Sequence, residues 1–422
     1  MPRTRLTVVL TVLGTLALLL VALPGCKSDS NSSTGVPMSI TVTGKVITNN
    51  NLPIANAPVI ITGRPATTTD ANGSFTITDV AVPYEVTVVG SKIGITYRGL
   101  SRSDPTLVNT RSSAIPPNVA TVSGTISGGA GYPQPATRTS IVSLSSAEFT
   151  SSATPNPANG GYTLQPNWAG ATTSTTILRA LQWDKNAAGM PTTYVGYGEK
   201  TGVAITAGGT FSGQNIAMTA LSNQNISGIV TVPAALVLET KSLLLTFPTK
   251  GSVSLGTESG TATAFTYVVP TITGAVLSVT AFAAGSGVGQ CSVTKAGIAP
   301  GTTGITLTIP DPTILSLPVN AATGVTTTTP FSWSPVSSAI YAVTLVGPGS
   351  QYYIVITGGN SGTIPDLTAL GLGLPKSASF AWQVQSYGPF SSIDAAAGAT
   401  GYVPQGDVIL SASSIRTFTT AP

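Results

Sequence analysis

Residues 6–23 carry no charged side chain, and beyond Pro24-Gly25 the pattern changes to short runs in which β-branched or aromatic residues alternate with Thr, Ser and Asn. ITVTGKVI at 40–47, SFTITDV at 74–80 and FTYVVP at 265–270 are examples, and Gly, Pro, Asn and Asp separate such runs throughout. A period of two with turn residues at the breaks predicts half-buried antiparallel strands. Helical periodicity is nearly absent after the first apolar segment. The expected fold class is therefore all-β: a tandem array of antiparallel β-sandwich domains, Ig-like or transthyretin-like, behind an N-terminal signal helix.

The strands restart in a similar way three times: ITVTGKVITN at 40–49, ATVSGTISGG at 120–129 and NISGIVTVPA at 225–234. Each has a β-rich approach, a glycine and a further β-branched pair. The second and third units agree further along. YTLQP at 162–166 corresponds to YVVP at 267–270, ILRALQW at 177–183 to LSVTAFA at 277–283, and QNIAMTA at 214–220 to GITLTIP at 304–310. Expected boundaries are 39–113, 118–222, 225–311 and 312–422, after a leader at 1–25 and a Ser/Asn/Gly/Thr tether at 26–38. Prolines in the connection 112–118, and the brevity of 222–224, limit free rotation.

Arg3 and Arg5 precede the apolar run, which gives the basic and hydrophobic regions of a secretory signal. Leu23-Pro24-Gly25-Cys26 resembles the lipobox of bacterial lipoproteins. That resemblance implies a diacylglyceryl thioether on Cys26, cleavage before it and acylation of the new amino group. Several acyl chains at about 0.8 kcal/mol per buried methylene anchor a protein that one chain holds only weakly. Lys27-Ser28, without aspartate after the cysteine, implies the outer membrane as the location, with the displayed face open.

TGKVITNNNLPIANAPVIITG and TTTDANGSFTITDVAVPYEVTVVG, within 39–113, resemble the carboxypeptidase regulatory-like domain, a transthyretin-like sandwich. The appended module alone is shared, so no peptidase activity follows. FSWSPV around Trp333 and FAWQVQSYG around Trp382 resemble a fibronectin type III-like domain, which implies that both tryptophans fill its core. Residues 388–413 exceed that family's last loop and predict an insertion or extra hairpin.

Composition narrows the chemistry. The 422 residues include 46 glycines, 31 prolines, 42% hydrophobic and 8% charged side chains, as expected of turn-rich sandwiches. Taking Arg3 and Arg5 from 18 basic side chains leaves 16 against 14 acidic, so no basic patch points to nucleic acid. There is no histidine, which removes Ser-His-Asp and Cys-His catalysis and His-ligated zinc. With Cys26 acylated, Cys291 has no intrachain disulfide partner and reads as a buried, inert thiol. GGNSGT and GSGVGQ lack the strand-to-helix setting of a nucleophile elbow or phosphate loop.

No cofactor is expected and the chain reads as a non-enzyme. Asp70, Asn72 and Asp79 are weak calcium candidates, short of the roughly six to eight oxygens calcium takes. Trp168, Tyr194 and Tyr197 are the candidate carbohydrate platform, and Tyr352-Tyr353 a further aromatic pair. The expected role is a lipid-anchored envelope protein presenting β-sandwich modules for structural or adhesive contact. Its partners would be the membrane, through Cys26, and an envelope protein or extracellular polysaccharide. The alternatives are a carbohydrate-binding surface lipoprotein and an accessory subunit of an envelope enzyme.

Overall fold

The computed structural model describes residues 39–49, 51–90, 92–110, 118–248, 251–402 and 406–422. The leader, Cys26, the tether and most of the connection 112–118 lie outside the described residues.

The first module contains β1 (Ser39–Ile47), β2 (Ser74–Ala81), β3 (Ile93–Leu100) and β4 (Thr106–Val108). Along β1, Val42 and Val46 are buried while Thr41, Thr43 and Lys45 face water, so alternation alone orients the strand. β2 pairs antiparallel with β1 on one side, and β4 pairs parallel on the other. The opposing sheet runs Thr67–Thr68, Pro58–Ile61, Tyr84–Val89, β3. Entry into β2 is set by the TDANGSF turn, where Asp70 Oδ1 accepts from the N–H groups of Asn72 and Ser74, both at 2.8 Å. Gly73 sits at φ 71° with Val46 O only 2.5 Å from where a Cβ would stand, and Phe75 then drops into the core.

The same plan recurs twice. β5 (Thr121–Gly128), β6 (Gly161–Leu164), β7 (Thr173–Lys185), β8 (Pro191–Thr206) and β9 (Ile216–Met218) build the second module. β5 lies between antiparallel β6 and parallel β9, and the facing sheet runs Thr150–Ala153, Arg138–Ser145, β7, β8. The third module uses β10 (Asn223–Thr231), β11 (Val237–Thr246), β12 (Ser252–Ser259), β13 (Ala264–Pro270), β14 (Val276–Gly285), β15 (Gly289–Ile298) and β16 (Ile305–Thr308). Here β10 is flanked by antiparallel β13 and parallel β16, opposite the order β12, β11, β14, β15. The glycine in each restart has a steric reason: a Cβ on Gly228 would stand 2.1 Å from Ile305 O, and one on Gly44 2.5 Å from the Phe75 ring.

In the last module a sheet of Leu315–Leu317, Phe331–Trp333 and Ser361–Gly362 faces β17 (Ile340–Val346), β18 (Tyr352–Thr357) and β19 (Ser379–Gly388). Trp333 and Trp382 are both buried, and Phe331 meets the Trp382 ring edge-on at 4.8 Å. After β19 come the short helix α1 (Ile393–Ala396), β20 (Val408–Ser413) and β21 (Arg416–Thr420). β19 pairs with β21 along its first half and with β20 along its second. α1 and β20 both lie in the stretch 388–413, where the sequence predicts an insertion or extra hairpin, and both join the last module to its neighbours.

The modules are consecutive in sequence and fused in space. One 14-stranded sheet runs from β12 through β11, β14, β15, β20, β19, β17, β18 and β3 to Thr67–Thr68. β15 pairs antiparallel with β20, and β3 pairs parallel with β18 over Ile93–Arg98 and Tyr352–Thr357. Strands under these joints are buried on both faces. In β17 and β18, Tyr341, Val343, Tyr353 and Val355 fill the core of the last module, while Ile340, Ala342, Ile354 and Ile356 close that of the first. β7 behaves likewise: Leu178 and Ala180 face their own core, and Leu181 and Trp183 face the third module's.

Candidate functional site

The residues singled out by sequence do not assemble into a site. Trp168 is 1% exposed, stacks on Phe149 at 5.3 Å and donates its indole N–H to Ala171 O at 2.8 Å. Tyr194, 2% exposed, packs against Trp183 in the core shared with the third module. Tyr197 is half-buried against Phe247, its hydroxyl donating to Glu199 Oε2 at 2.7 Å. Burial raises the pKa of both tyrosines. The expected carbohydrate platform is therefore corrected: these three rings close cores and a joint. Tyr353 is likewise buried, its hydroxyl donating to Leu372 O at 2.8 Å.

The calcium candidates are corrected for a geometric reason. Asp70 spends Oδ1 on the turn amides, and Asn72 and Asp79 are exposed. Asp79 stands near the far end of β2, about 16 Å from Ser74 at the usual rise of about 3.3 Å per residue. An extended strand cannot bring those oxygens to one ion. Among the described residues no three Asp, Glu, Cys or His side chains cluster as metal ligands. Cys291 is buried, its thiol donates to Ser411 Oγ at 3.4 Å, and burial pushes its pKa up.

The structure instead concentrates its unusual features where the last module meets its neighbours. On one side, α1 docks on the first module: Asp394 Oδ1 accepts from the N–H groups of Ser101 (2.8 Å) and Arg102 (3.2 Å), and Arg102 Nη1 donates to Asp394 O at 2.6 Å. Ile393, Ala396 and Ala397 join the first module's core. On the other side, β20 extends the third module's sheet over a buried hydroxyl knot. Ser411 Oγ accepts from Thr313 N at 2.8 Å, and the Thr313 hydroxyl lies 2.7 Å from Ser386 Oγ and 3.0 Å from Ser411 Oγ.

Above that knot, on the outer face of the sheet, lies a cavity of about 250 Å³ crossing the seam. Two rows of register partners line it. Phe282, Ser292, Leu410 and Tyr387 stand side by side on β14, β15, β20 and β19, with Gln290, Ala412 and Gln385 in the next row. The Tyr387 hydroxyl donates to Gln385 Oε1 at 2.7 Å, and burial raises its pKa. No lining side chain is charged.

Sequence reading missed this constellation because it draws on four strands of two modules. One signal was present: Phe282, between buried Ala281 and Ala283, holds the outward phase of β14, where alternation calls for a polar residue.

No protein-family model matches the chain, and no curated relative matches it. Solved structures similar to it include the tetra-tandem repeat in the extending region of a large adhesion protein, with 14% identity, 91% of this chain and 99% of that one covered, and a TM-score of 0.17. The major pilin subunit of Bacillus cereus is 9% identical over 64% of this chain and 99% of that one, with a TM-score of 0.15. A pilus adhesin of Lactobacillus rhamnosus GG, in its open conformation, is 10% identical over 64% of this chain and 43% of that one, also at 0.15. Likeness at this level fixes neither a shared arrangement nor a role.

Proposed function

We propose that the chain is a non-catalytic, lipid-anchored protein of the cell envelope, held in the outer membrane by acyl chains on Cys26 and using a fused block of β-sandwiches for structural or adhesive contact. The observation that carries this reading is the unbroken sheet through the first, third and last modules. Main-chain ladders across module boundaries make a body that holds its surfaces in fixed relation, as a presenting scaffold requires. A jointed stalk would leave those edges for water.

The charged groups support the non-catalytic part. The sequence has no histidine, and six carboxylates close ion pairs that stitch strands and loops: Glu85–Arg98, Asp104–Arg102, Asp184–Arg138, Glu199–Arg179, Glu258–Lys241 and Asp407–Lys295. Glu85, Glu199 and Glu258 each stand directly opposite their cation on the neighbouring strand.

Metabolic labelling with a fatty acid, followed by membrane fractionation and intact mass, tests the anchor. The native chain is expected to lose its leader, carry acyl groups and sediment with outer membranes. Cys26→Ser is expected to keep the leader and take no label. Normal labelling of Cys26→Ser, or substrate turnover by the purified chain, contradicts the proposal.

A further inference from the structure

We propose that the trough over the seam between the third and last modules binds a neutral carbohydrate chain, supplying the contact surface that the adhesive reading above requires and on which it rests. Phe282 and Tyr387 form its two ends, three strand spacings apart, or about 14 Å at about 4.8 Å per spacing. Ser292 and Ala412 make a low floor between them, with Leu410, partly exposed, at the centre.

Phe282, half-buried, offers an apolar ring to the C–H face of a sugar, the Tyr387 ring, packed edge-on against Tyr402 at 5.3 Å and against the first module's core, walls the other end, and a few fixed polar groups set orientation, the usual division of labour in a ligand site. Those polar groups are the carboxamides of Gln290 and Gln385 and the Ser292 hydroxyl. Gln385 Oε1 is taken by Tyr387, which orients its Nε2 as a donor, and among the described residues the Gln290 amide has no protein partner. Carboxamides and hydroxyls both donate and accept, which matches sugar hydroxyls.

The lining argues against other occupants. An anionic polymer would need a cation, and the lysine on this seam, Lys295, is spent on Asp407 at 2.6 Å. A peptide adding itself as a strand needs a free sheet edge. Each of β14, β15, β20 and β19 under the trough is already paired on both sides.

The test is affinity electrophoresis of the purified full chain in gels cast with dextran, galactomannan or mixed-linkage β-glucan, all neutral, with alginate as the anionic comparator. Retardation is expected in at least one neutral gel and not in alginate. Ser292→Trp, which fills the floor, and Gln290→Ala, at an exposed position, are each expected to weaken it about tenfold, as loss of one well-placed contact does. Thermal midpoints should stay unchanged. Retardation in no neutral gel, in alginate alone, or undiminished in Ser292→Trp overturns the site. The readout does not involve the acyl group. An acylated chain that binds none of these polymers would remove the site and leave the anchored scaffold standing, and an unacylated chain that binds would do the reverse.

Discussion

The joint between the second and third modules and the two joints made by the last module solve one problem differently. In each of the first three modules the same strand, β3, β8 or β15, ends its sheet and would expose unpaired main chain. β3 and β15 gain a whole strand each, β18 and β20, from the last module. β8 is covered instead by the connection that follows it. Tyr197 and Thr219 exchange main-chain hydrogen bonds at 2.9 Å, and the Asn223 carboxamide accepts from Tyr194 N at 2.7 Å and donates to Tyr194 O at 3.0 Å. The second and third modules then meet by side chains: Leu181, Trp183, Met190 and Tyr194 enter the third module's core, and the Arg179 guanidinium lies 4.6 Å above the Phe247 ring. One joint is a packed face and two are ladders. Sister modules of one topology differ in how their edges are closed, and that difference makes the last module the fastener of the chain.

Substitutions can break this contrast. The largest effect is expected for Thr96→Pro in β3, which removes a donor from a strand paired on both sides and the bond between the buried Thr87 and Thr96 hydroxyls at 2.9 Å. A cost of about 3 kcal/mol or more should appear in denaturant melts, with protease sites opening in the first and last modules together. Leu181→Ala, at the packed face, should cost about 3 kcal/mol by leaving a cavity, with proteolysis opening the second and third modules. If either variant loosens only its own module, the joints are not cooperative.

Ser411→Ala probes the hydroxyl knot. It strands the Thr313 N–H and is expected to cost about 1–3 kcal/mol. The smallest effect is expected at the exposed end of the seam. Burial alone would raise the Asp407 pKa, but the Lys295 hydrogen bond, the Ala296 N–H and the Lys295 charge outweigh it and hold it below the ordinary carboxylate value. A depressed folded-state pKa adds stability that is present above the unfolded value and is lost as pH falls through the folded one. Asp407→Asn should therefore lower the neutral and alkaline plateau of a stability–pH curve slightly, by less than about 1 kcal/mol, and flatten its acid limb. A change of the neutral midpoint by more than about 1 kcal/mol would assign the pair more than a surface role.

Side-chain alternation was enough to read the strands, since it reports which face of a sheet meets a core. The restart glycines, the turn at Asp70–Phe75 and the tryptophans at 333 and 382 were legible because each side chain answers to a local steric or packing demand. The joints were not, because a ladder is made of main-chain groups that every residue but proline carries. A weaker trace remained. ILRALQW at 177–183 and YYIVI at 352–356 are nearly continuous apolar runs, the mark of strands covered on both faces, in a chain otherwise strict in alternation. Trp168 misled because Pro-Asn and Ala-Gly around it look like loop, whereas its two-residue strand pairs with Asn118–Val119 and turns the ring inward. Of the trough only Phe282 left a trace, since Phe282 and Tyr387 come to face one cavity only when β20 enters the third module's sheet.

Native-state hydrogen exchange of the full chain tests the central claim, that the last module closes the free edges of the first and third. Amides of Ile93–Arg98 and Gly289–Thr294 that point into the seams should exchange only with the global opening of the fold, and Thr96→Pro should release them. Exchange of both segments at the rate of an uncovered edge strand would contradict it.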